Sequence, residues 1–246
     1  RTVKEIQAGI KRSEENPETV AGRELMRLVY PHHPYGHPVE GSLESVGALT
    51  RPQVIDFYQR HVRPDTAIIA VVGAVAVAEA RREILGRFGD WPKPATPPPT
   101  VSVAAGAPSP QERTIKRDLT QATVTMGRRA IRQDNPEYFP LVVANYILGG
   151  GSTSRLYQRV REDGGLAYSV FSYVSPGRYG ATAIVGLQTR TAEVARAVEL
   201  TREQLARMSR EAVSDRELTL AKSYLIGSFP LRLDTSSKVA NFLVAV

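Results

Sequence analysis

The most chemically suggestive residues of this chain are Arg161 and Tyr168, which lie seven positions apart within residues 148–170. The pattern predicts that Arg161 lies near the end of a short helix and that Tyr168 opens a strand. A guanidinium group and a phenol can both donate hydrogen bonds to a peptide carbonyl, and both bonds strengthen as negative charge develops on the oxygen. Taken alone, the pattern is more typical of a structural pair, with Arg161 bonded to the last carbonyls of its helix and Tyr168 covering the edge of the core.

A glycine triplet, Gly149-Gly150-Gly151, precedes this helix. Glycine-rich turns before a helix can bind phosphate through backbone N–H groups. However, a phosphate loop requires a following Gly-Lys-Ser/Thr, and a dinucleotide turn requires a preceding strand. Here a predicted helix precedes the glycines, no lysine follows, and Ser152 or Thr153 can cap the next helix. The triplet therefore predicts a tight helix-to-helix connection.

The histidines offer a second candidate for chemistry. There are four of them, His32, His33, His37 and His61. His33 and His37 have the spacing of a helical zinc pair, but Pro34 between them and Pro38 after them interrupt a helix, and Glu40 is the one nearby carboxylate. The sequence therefore favours a loop whose imidazoles cap backbone groups, with no metal site.

Composition excludes several other classes of function. The chain has no cysteine, which excludes disulfides and cysteine metal sites but does not decide the cellular compartment. It also has no Gly-x-Ser-x-Gly motif, so the usual serine nucleophile elbow is absent. Its net charge is +7, but the basic residues are dispersed among acidic ones, which does not favour nucleic-acid binding. No apolar run approaches the roughly 20 residues of a transmembrane helix.

The pattern of elements predicts an α+β fold in two domains. The predicted boundaries are residues 1–93 for the first domain, 94–112 for a proline-rich linker and 113–246 for the second domain. Strands are predicted at 66–72, 113–119 and 122–131, and a hairpin pairs 169–174 with 181–187. Helices are predicted over most of the remaining chain. Both chain ends fall within predicted helices and the first domain offers one clear strand, so we expect a fragment of a longer protein with further strands upstream.

The stretch LGGGSTSRLYQRVREDGGLAYSV resembles the signature of the insulinase/pitrilysin/mitochondrial-processing-peptidase family of inverted-motif zinc peptidases. Arg161 and Tyr168 match that family's pair in identity and spacing. The segments SEENPETVA, YPHHPYGHPVEG and AVVGAV resemble the back half of the family's first domain. The resemblance implies two homologous domains, the first incomplete here, each with a mostly antiparallel sheet backed by helices, which face each other as a clam.

The resemblance also bears on the metal. The family's His-x-x-Glu-His zinc motif is absent, and the position of its third zinc ligand falls on Gly9, with Glu5 one helical turn earlier. A glycine has no side chain that could bind zinc. The resemblance therefore implies a subunit without metal ligands or catalytic residues of its own.

In such a subunit, Arg161 and Tyr168 would bind substrate at the zinc site of a homologous partner. Arg161 would hold the carbonyl of a peptide substrate, and Tyr168 would stabilise the gem-diolate formed by zinc-activated water. The alternatives are a truncated piece of an active single-chain zinc peptidase, a structural or assembly subunit with no peptidase role, and a peptide-binding module without turnover.

Overall fold

The computed structural model describes residues 2–106 and 108–245. Helices and strands alternate irregularly along the chain. They are α1 (Thr2–Ser13), α2 (Pro17–Val29), α3 (Leu43–Gly47), α4 (Arg51–His61), α5 (Val77–Phe88), β1 (Gln121–Ala130), α6 (Tyr138–Gly149), a π-helix (Tyr157–Glu162), β2 (Ala167–Ser175), β3 (Ala181–Arg190), α7 (Val194–Arg210), α8 (Asp215–Ser228) and α9 (Ser236–Ala245). Short 3₁₀ turns occupy Pro34–Gly36, Thr191–Glu193 and Phe229–Arg232.

The sheet has the order β1-β3-β2, and both pairings are antiparallel. Val124 pairs with Leu187 on one side of β3, and Val170 pairs with the same Leu187 on the other. This arrangement confirms the predicted hairpin and the predicted strand at 122–131. The combination of an antiparallel sheet with packed helices confirms the predicted α+β class.

The chain divides into two compact units. The first comprises Arg1–Gly47 with Ser102–Lys222, and the second comprises Ala48–Val101 with Ser223–Val246. The second unit contains α4, α5 and α9, and within it Phe229 packs edge-on against Phe242. The domain boundaries predicted from the sequence stay a prediction.

In the first unit, helices pack against both faces of the sheet. Val185 and Leu187 join a core with Leu156 and Val160, whereas Ile184 joins a separate core with residues of α2. Successive side chains of a strand point to opposite faces, so these two cores lie on opposite sides of β3. The sheet is therefore the middle layer of three.

Tyr30 joins the end of α2 to the sheet. Its ring is 1% exposed, and its hydroxyl donates to the carbonyl of Ala181 at 2.9 Å and accepts from Thr182 Oγ1 at 3.1 Å. His33 lies beside it: Nδ1 accepts from the backbone N–H of Tyr35 at 3.1 Å, and Nε2 lies 3.0 Å from the carbonyl of Ser102. The prediction that imidazoles of this loop cap backbone groups is confirmed for His33.

Side chains cap three of the helix starts. The side chain of Asn16 accepts from the N–H of Thr19, Gln53 accepts from the N–H of Thr50, and Glu217 accepts from the N–H of Ser214. Each bond satisfies a backbone donor that a helix start leaves without an intrahelical partner.

Three local predictions are wrong. Residues 66–72 and 113–119 form no strand, because neither segment has a partner strand among the described residues. Ile68, in the first of these segments, is 70% exposed. The helix after the glycine triplet begins after Ser154, whose Oγ accepts from the N–H of Tyr157 at 3.4 Å; Ser152 and Thr153 precede this start in a turn.

Replacing Tyr30 by Phe removes a hydroxyl that satisfies the buried carbonyl of Ala181. We expect Tyr30→Phe to lower the free energy of unfolding by about 1–2 kcal/mol, because a buried acceptor loses its partner. Urea denaturation followed by circular dichroism measures this change. The matched control is Tyr58→Phe on α4, where the side chain is 56% exposed and little change is expected. An equal effect of both substitutions would contradict the assigned role of Tyr30.

Candidate functional site

The helix that carries Arg161 is fixed by two buried side chains. Leu156 and Val160, four residues apart, are each 0% exposed and pack against β2, β3 and α7. Residues four apart share a helix face. Tyr157 and Arg161 therefore share a face that lies next to the face of Leu156 and Val160. From Tyr157 to Glu162 this helix is a π-helix, a rare form often found at functional sites.

A tight turn joins the helix to the strand. Gly165 has φ +61°, a left-handed conformation that favours glycine. Its N–H donates to the carbonyl of Arg161, and the N–H of Leu166 donates to the carbonyl of Val160, both at 3.0 Å. These two bonds resemble those of the Schellman motif that ends many α-helices. Each bond spans one residue more than in that motif, because a π-helix has more residues per turn than an α-helix. The two hydrogen bonds and the conformation of Gly165 therefore fix the backbone of the turn between Arg161 and Tyr168.

Tyr168 lies at a β-bulge. Ala167 pairs with Thr189 and Ser169 pairs with Gln188, so Tyr168 is the extra residue between two paired neighbours. The hydroxyl of Thr189 donates to the carbonyl of Leu166 and holds the start of the bulged strand. Bulges redirect a side chain, and the ring of Tyr168 is 76% exposed.

These elements bring the two predicted site residues together. The guanidinium carbon of Arg161 lies 5.9 Å from the ring centroid of Tyr168 and 4.7 Å from that of Tyr157. Arg161 Nε is also 3.8 Å from Oε1 of the exposed Glu162. The result is a partly exposed cation beside an exposed phenol, and both side chains can donate hydrogen bonds.

Sequence reasoning did not single out Tyr157. The signal was present, because Tyr157 lies four positions before Arg161 in a predicted helix, the spacing at which side chains meet. Tyr157 lies closer to the guanidinium than Tyr168 does.

The glycine triplet has a packing role. A Cβ at Gly149 would lie 2.5 Å from the backbone nitrogen of Ser172, and one at Gly150 would lie 2.7 Å from Cα of Tyr146. Glycine therefore permits α6 to approach β2 closely. This geometry agrees with the prediction that the glycine triplet forms a tight connection between two helices.

The described residues do not fit a zinc ion. Within 2–106 and 108–245, no group of three or more His, Asp or Glu side chains could hold a metal. Gly9, where the resemblance places a zinc ligand, lies on α1 and lines a cleft of about 730 Å³ with Ile6, Ile10, His37 and Glu40. His37 and Glu40 belong to no group of three such side chains in the described ranges. No chemical step is therefore assigned to a metal held by this part of the chain.

An ion pair holds the start of the helix. Arg155 Nε donates to Glu217 Oε1 at 2.6 Å, and Nη2 donates to Oε2 at 3.0 Å; the two side chains are 12% and 29% exposed. The hydrogen bonds from Arg155 lower the pKa of Glu217 to about 2 from its ordinary 4.5, with a further contribution from Ser214. The pair links the helix of Arg161 to α8.

Comparison with known proteins identifies the family. Residues 48–225 match the family described as "Peptidase M16 inactive domain". An uncharacterized zinc protease of Mycobacterium bovis is 32% identical over 232 residues, which cover 91% of this chain and 52% of the relative. An uncharacterized zinc protease of Bacillus subtilis is 28% identical over 236 residues, 94% of this chain and 56% of that protein.

A solved structure agrees with this result. The crystal structure of a peptidase M16 inactive domain from Pseudomonas fluorescens matches with a TM-score of 0.92 at 27% identity, covering 100% of this chain and 58% of that one. The chain therefore belongs to the M16 peptidase family, which confirms the resemblance noted in the sequence. It spans about half the length of the curated relatives named above. None of the helices in the described ranges is long and apolar enough to cross a membrane.

The Arg155–Glu217 pair makes stability depend on pH in a defined direction. The pKa of Glu217 is lower in the folded state, so its contribution is complete above about pH 4.5 and is lost as the pH falls toward 2. We expect Glu217→Gln to lower the free energy of unfolding at pH 7 by about 2 kcal/mol. The difference from wild type should shrink between pH 4.5 and 2.

Urea denaturation at a series of pH values measures this difference. The control is Glu199→Gln, because Glu199 pairs with Arg196 on the exposed surface of α7 and should change stability little at any pH. A difference between wild type and Glu217→Gln that is the same at pH 7 and pH 2.5 would contradict the assignment.

Proposed function

We propose that this chain is the non-catalytic, substrate-binding part of a zinc peptidase, in which Arg161 and Tyr168 bind a peptide beside a zinc site held by a homologous partner subunit. The observation that carries the proposal is the proximity of the two donors, 5.9 Å from guanidinium carbon to ring centroid, on a rigid turn and open to solvent. A scaffold that only supports other proteins requires neither donor.

The chemistry of the pair suits a peptide carbonyl. A guanidinium presents several N–H donors in one plane, and a phenol presents one O–H donor, so one carbonyl oxygen can accept from both side chains. Such bonds become stronger as the oxygen gains negative charge during attack on the peptide bond. In this proposal Arg161 positions the carbonyl, and Tyr168 stabilises the charge that develops on it.

Two observations support a zinc site in the partner subunit and not in this chain. The described residues offer no metal-binding group. The resemblance to the family also places a zinc ligand at the position of Gly9, which has no side chain to bind a metal. The match to an inactive domain of the family agrees with a division of work between two homologous domains. In a heterodimer, the partner would contribute the metal and this chain would contribute hydrogen-bond donors to the same peptide.

Metal analysis of the purified full-length protein tests the division of work. We expect far less than one zinc per chain after dialysis against metal-free buffer. One tightly bound zinc per chain together with peptidase activity of the protein alone would instead indicate an active single-chain peptidase. If the protein co-purifies with a large assembly that has no peptidase activity, it is a structural subunit.

Reconstitution with a zinc-bearing homologous subunit tests the two donors. We expect peptide hydrolysis by the mixture and a loss of about 100-fold in kcat for Tyr168→Phe, because one donor to the developing charge is removed. Arg161→Lys should raise KM as well, because lysine lacks the planar fork of donors.

Matched controls lie on the same elements. Tyr173→Phe alters another exposed phenol of β2, and Arg159→Lys alters an arginine of the same helix whose partner is Asp163. Both controls should retain the activity of the wild-type mixture. If Tyr168→Phe behaves like Tyr173→Phe, the role proposed for Tyr168 is wrong.

A further inference from the structure

We propose that Tyr157 is a positioning residue, whose ring holds the guanidinium of Arg161 in the orientation that binds the peptide carbonyl. This inference rests on the proposed role of Arg161. It adds a residue that neither the match to the family nor the names of the relatives assigns.

The contacts of Arg161 differ in their ability to hold the side chain. Glu162 Oε1 lies 3.8 Å from Arg161 Nε, near the outer limit of an ion pair, and the two side chains are 39% and 51% exposed, so this contact is weak. The ring of Tyr168 lies at 5.9 Å, close to the roughly 6 Å limit for a cation above an aromatic ring. The ring of Tyr157, at 4.7 Å, is well within that limit.

Tyr157 is itself firmly placed. It follows Leu156 and lies three positions before Val160, two side chains with no exposed surface, and its N–H donates to Ser154 Oγ at 3.4 Å. The ring is half-buried. A fixed ring 4.7 Å from the guanidinium carbon restricts the rotamers that Arg161 can adopt while keeping this contact.

The geometry also leaves the donors available. An aromatic ring attracts a guanidinium through its face, whereas the N–H groups of the guanidinium lie in its own plane. A ring packed on the face of the guanidinium would therefore orient Arg161 without using the hydrogen bonds that a peptide carbonyl requires. A carboxylate in the position of Tyr157 would instead occupy those donors.

The test compares Tyr157→Phe with Tyr157→Leu in the full-length protein. Phenylalanine keeps the ring and loses the hydroxyl, whereas leucine keeps an apolar side chain and loses the ring. The first readout is the NMR signal of the Arg161 side-chain δ protons in arginine-labelled protein, assigned with Arg161→Lys. We expect an upfield ring-current shift in wild type and in Tyr157→Phe, and its loss in Tyr157→Leu.

The second readout is binding of an unlabelled model peptide, measured by calorimetry. We expect Tyr157→Phe to match wild type and Tyr157→Leu to weaken binding about threefold to fivefold. The absence of an upfield shift of the assigned Arg161 protons in wild type overturns the inference. An unchanged peptide affinity in a folded Tyr157→Leu protein overturns it too.

Arg161→Ala separates the two proposals. If this variant binds peptide as wild type does, the proposed function of Arg161 fails, whatever the NMR signal shows. If Arg161→Ala weakens binding and Tyr157→Leu does not, the proposed function survives and the positioning role of Tyr157 is rejected.

Discussion

The candidate site depends on the burial of Leu156 and Val160 beneath the helix that carries Arg161. Burying a side chain of this size stabilises a fold by about 1.5–3 kcal/mol, whereas an exposed cation–ring contact contributes about 0.5–1 kcal/mol. The core contacts therefore determine where the helix lies, and the ring of Tyr157 can select only the rotamer of Arg161. The fold therefore depends on the buried row, Leu156 and Val160, and not on the exposed residues beside it.

The sheet connects this helix to parts of the chain that are distant in sequence. Val185 and Leu187 pack on the side of the π-helix, and Ile184 packs on the side of α2, where Tyr30 bonds to Ala181. β3 is the central strand among those described, and it pairs with β1 and with the bulged β2. The position of Tyr168 is consequently determined by residues from both halves of the chain.

The elements that the sequence predicted well are those with a local signal. Alternation of apolar residues predicted the hairpin of β2 and β3, whose two strands are close in sequence. The apolar run at 66–72 has the composition of a buried strand. A strand also requires a partner, and composition carries no information on that partner.

The geometry of the site was predictable in part. The spacing of Arg161 and Tyr168 placed one at a helix end and the other at a strand start, as observed. The π-helix and the bulge at Tyr168 each add one residue to a regular element, and both arise from tertiary packing that a periodic pattern does not record. Helical spacing is enough to bring Tyr157 near Arg161, but the distance of 4.7 Å between the ring centroid and the guanidinium carbon could be known only from the structure.

The turn at Gly165 has a consequence for the entropy of ligand binding. Arg161 and Tyr168 are joined by a short segment. Its backbone is held by the hydrogen bonds from the N–H groups of Gly165 and Leu166 and by the left-handed conformation of Gly165. The conformational freedom of this segment is lost when the protein folds, so a ligand that contacts both donors does not have to order the backbone between them. A longer or more flexible connection carrying the same two side chains would bind the same ligand more weakly, even though every contact in the complex was identical.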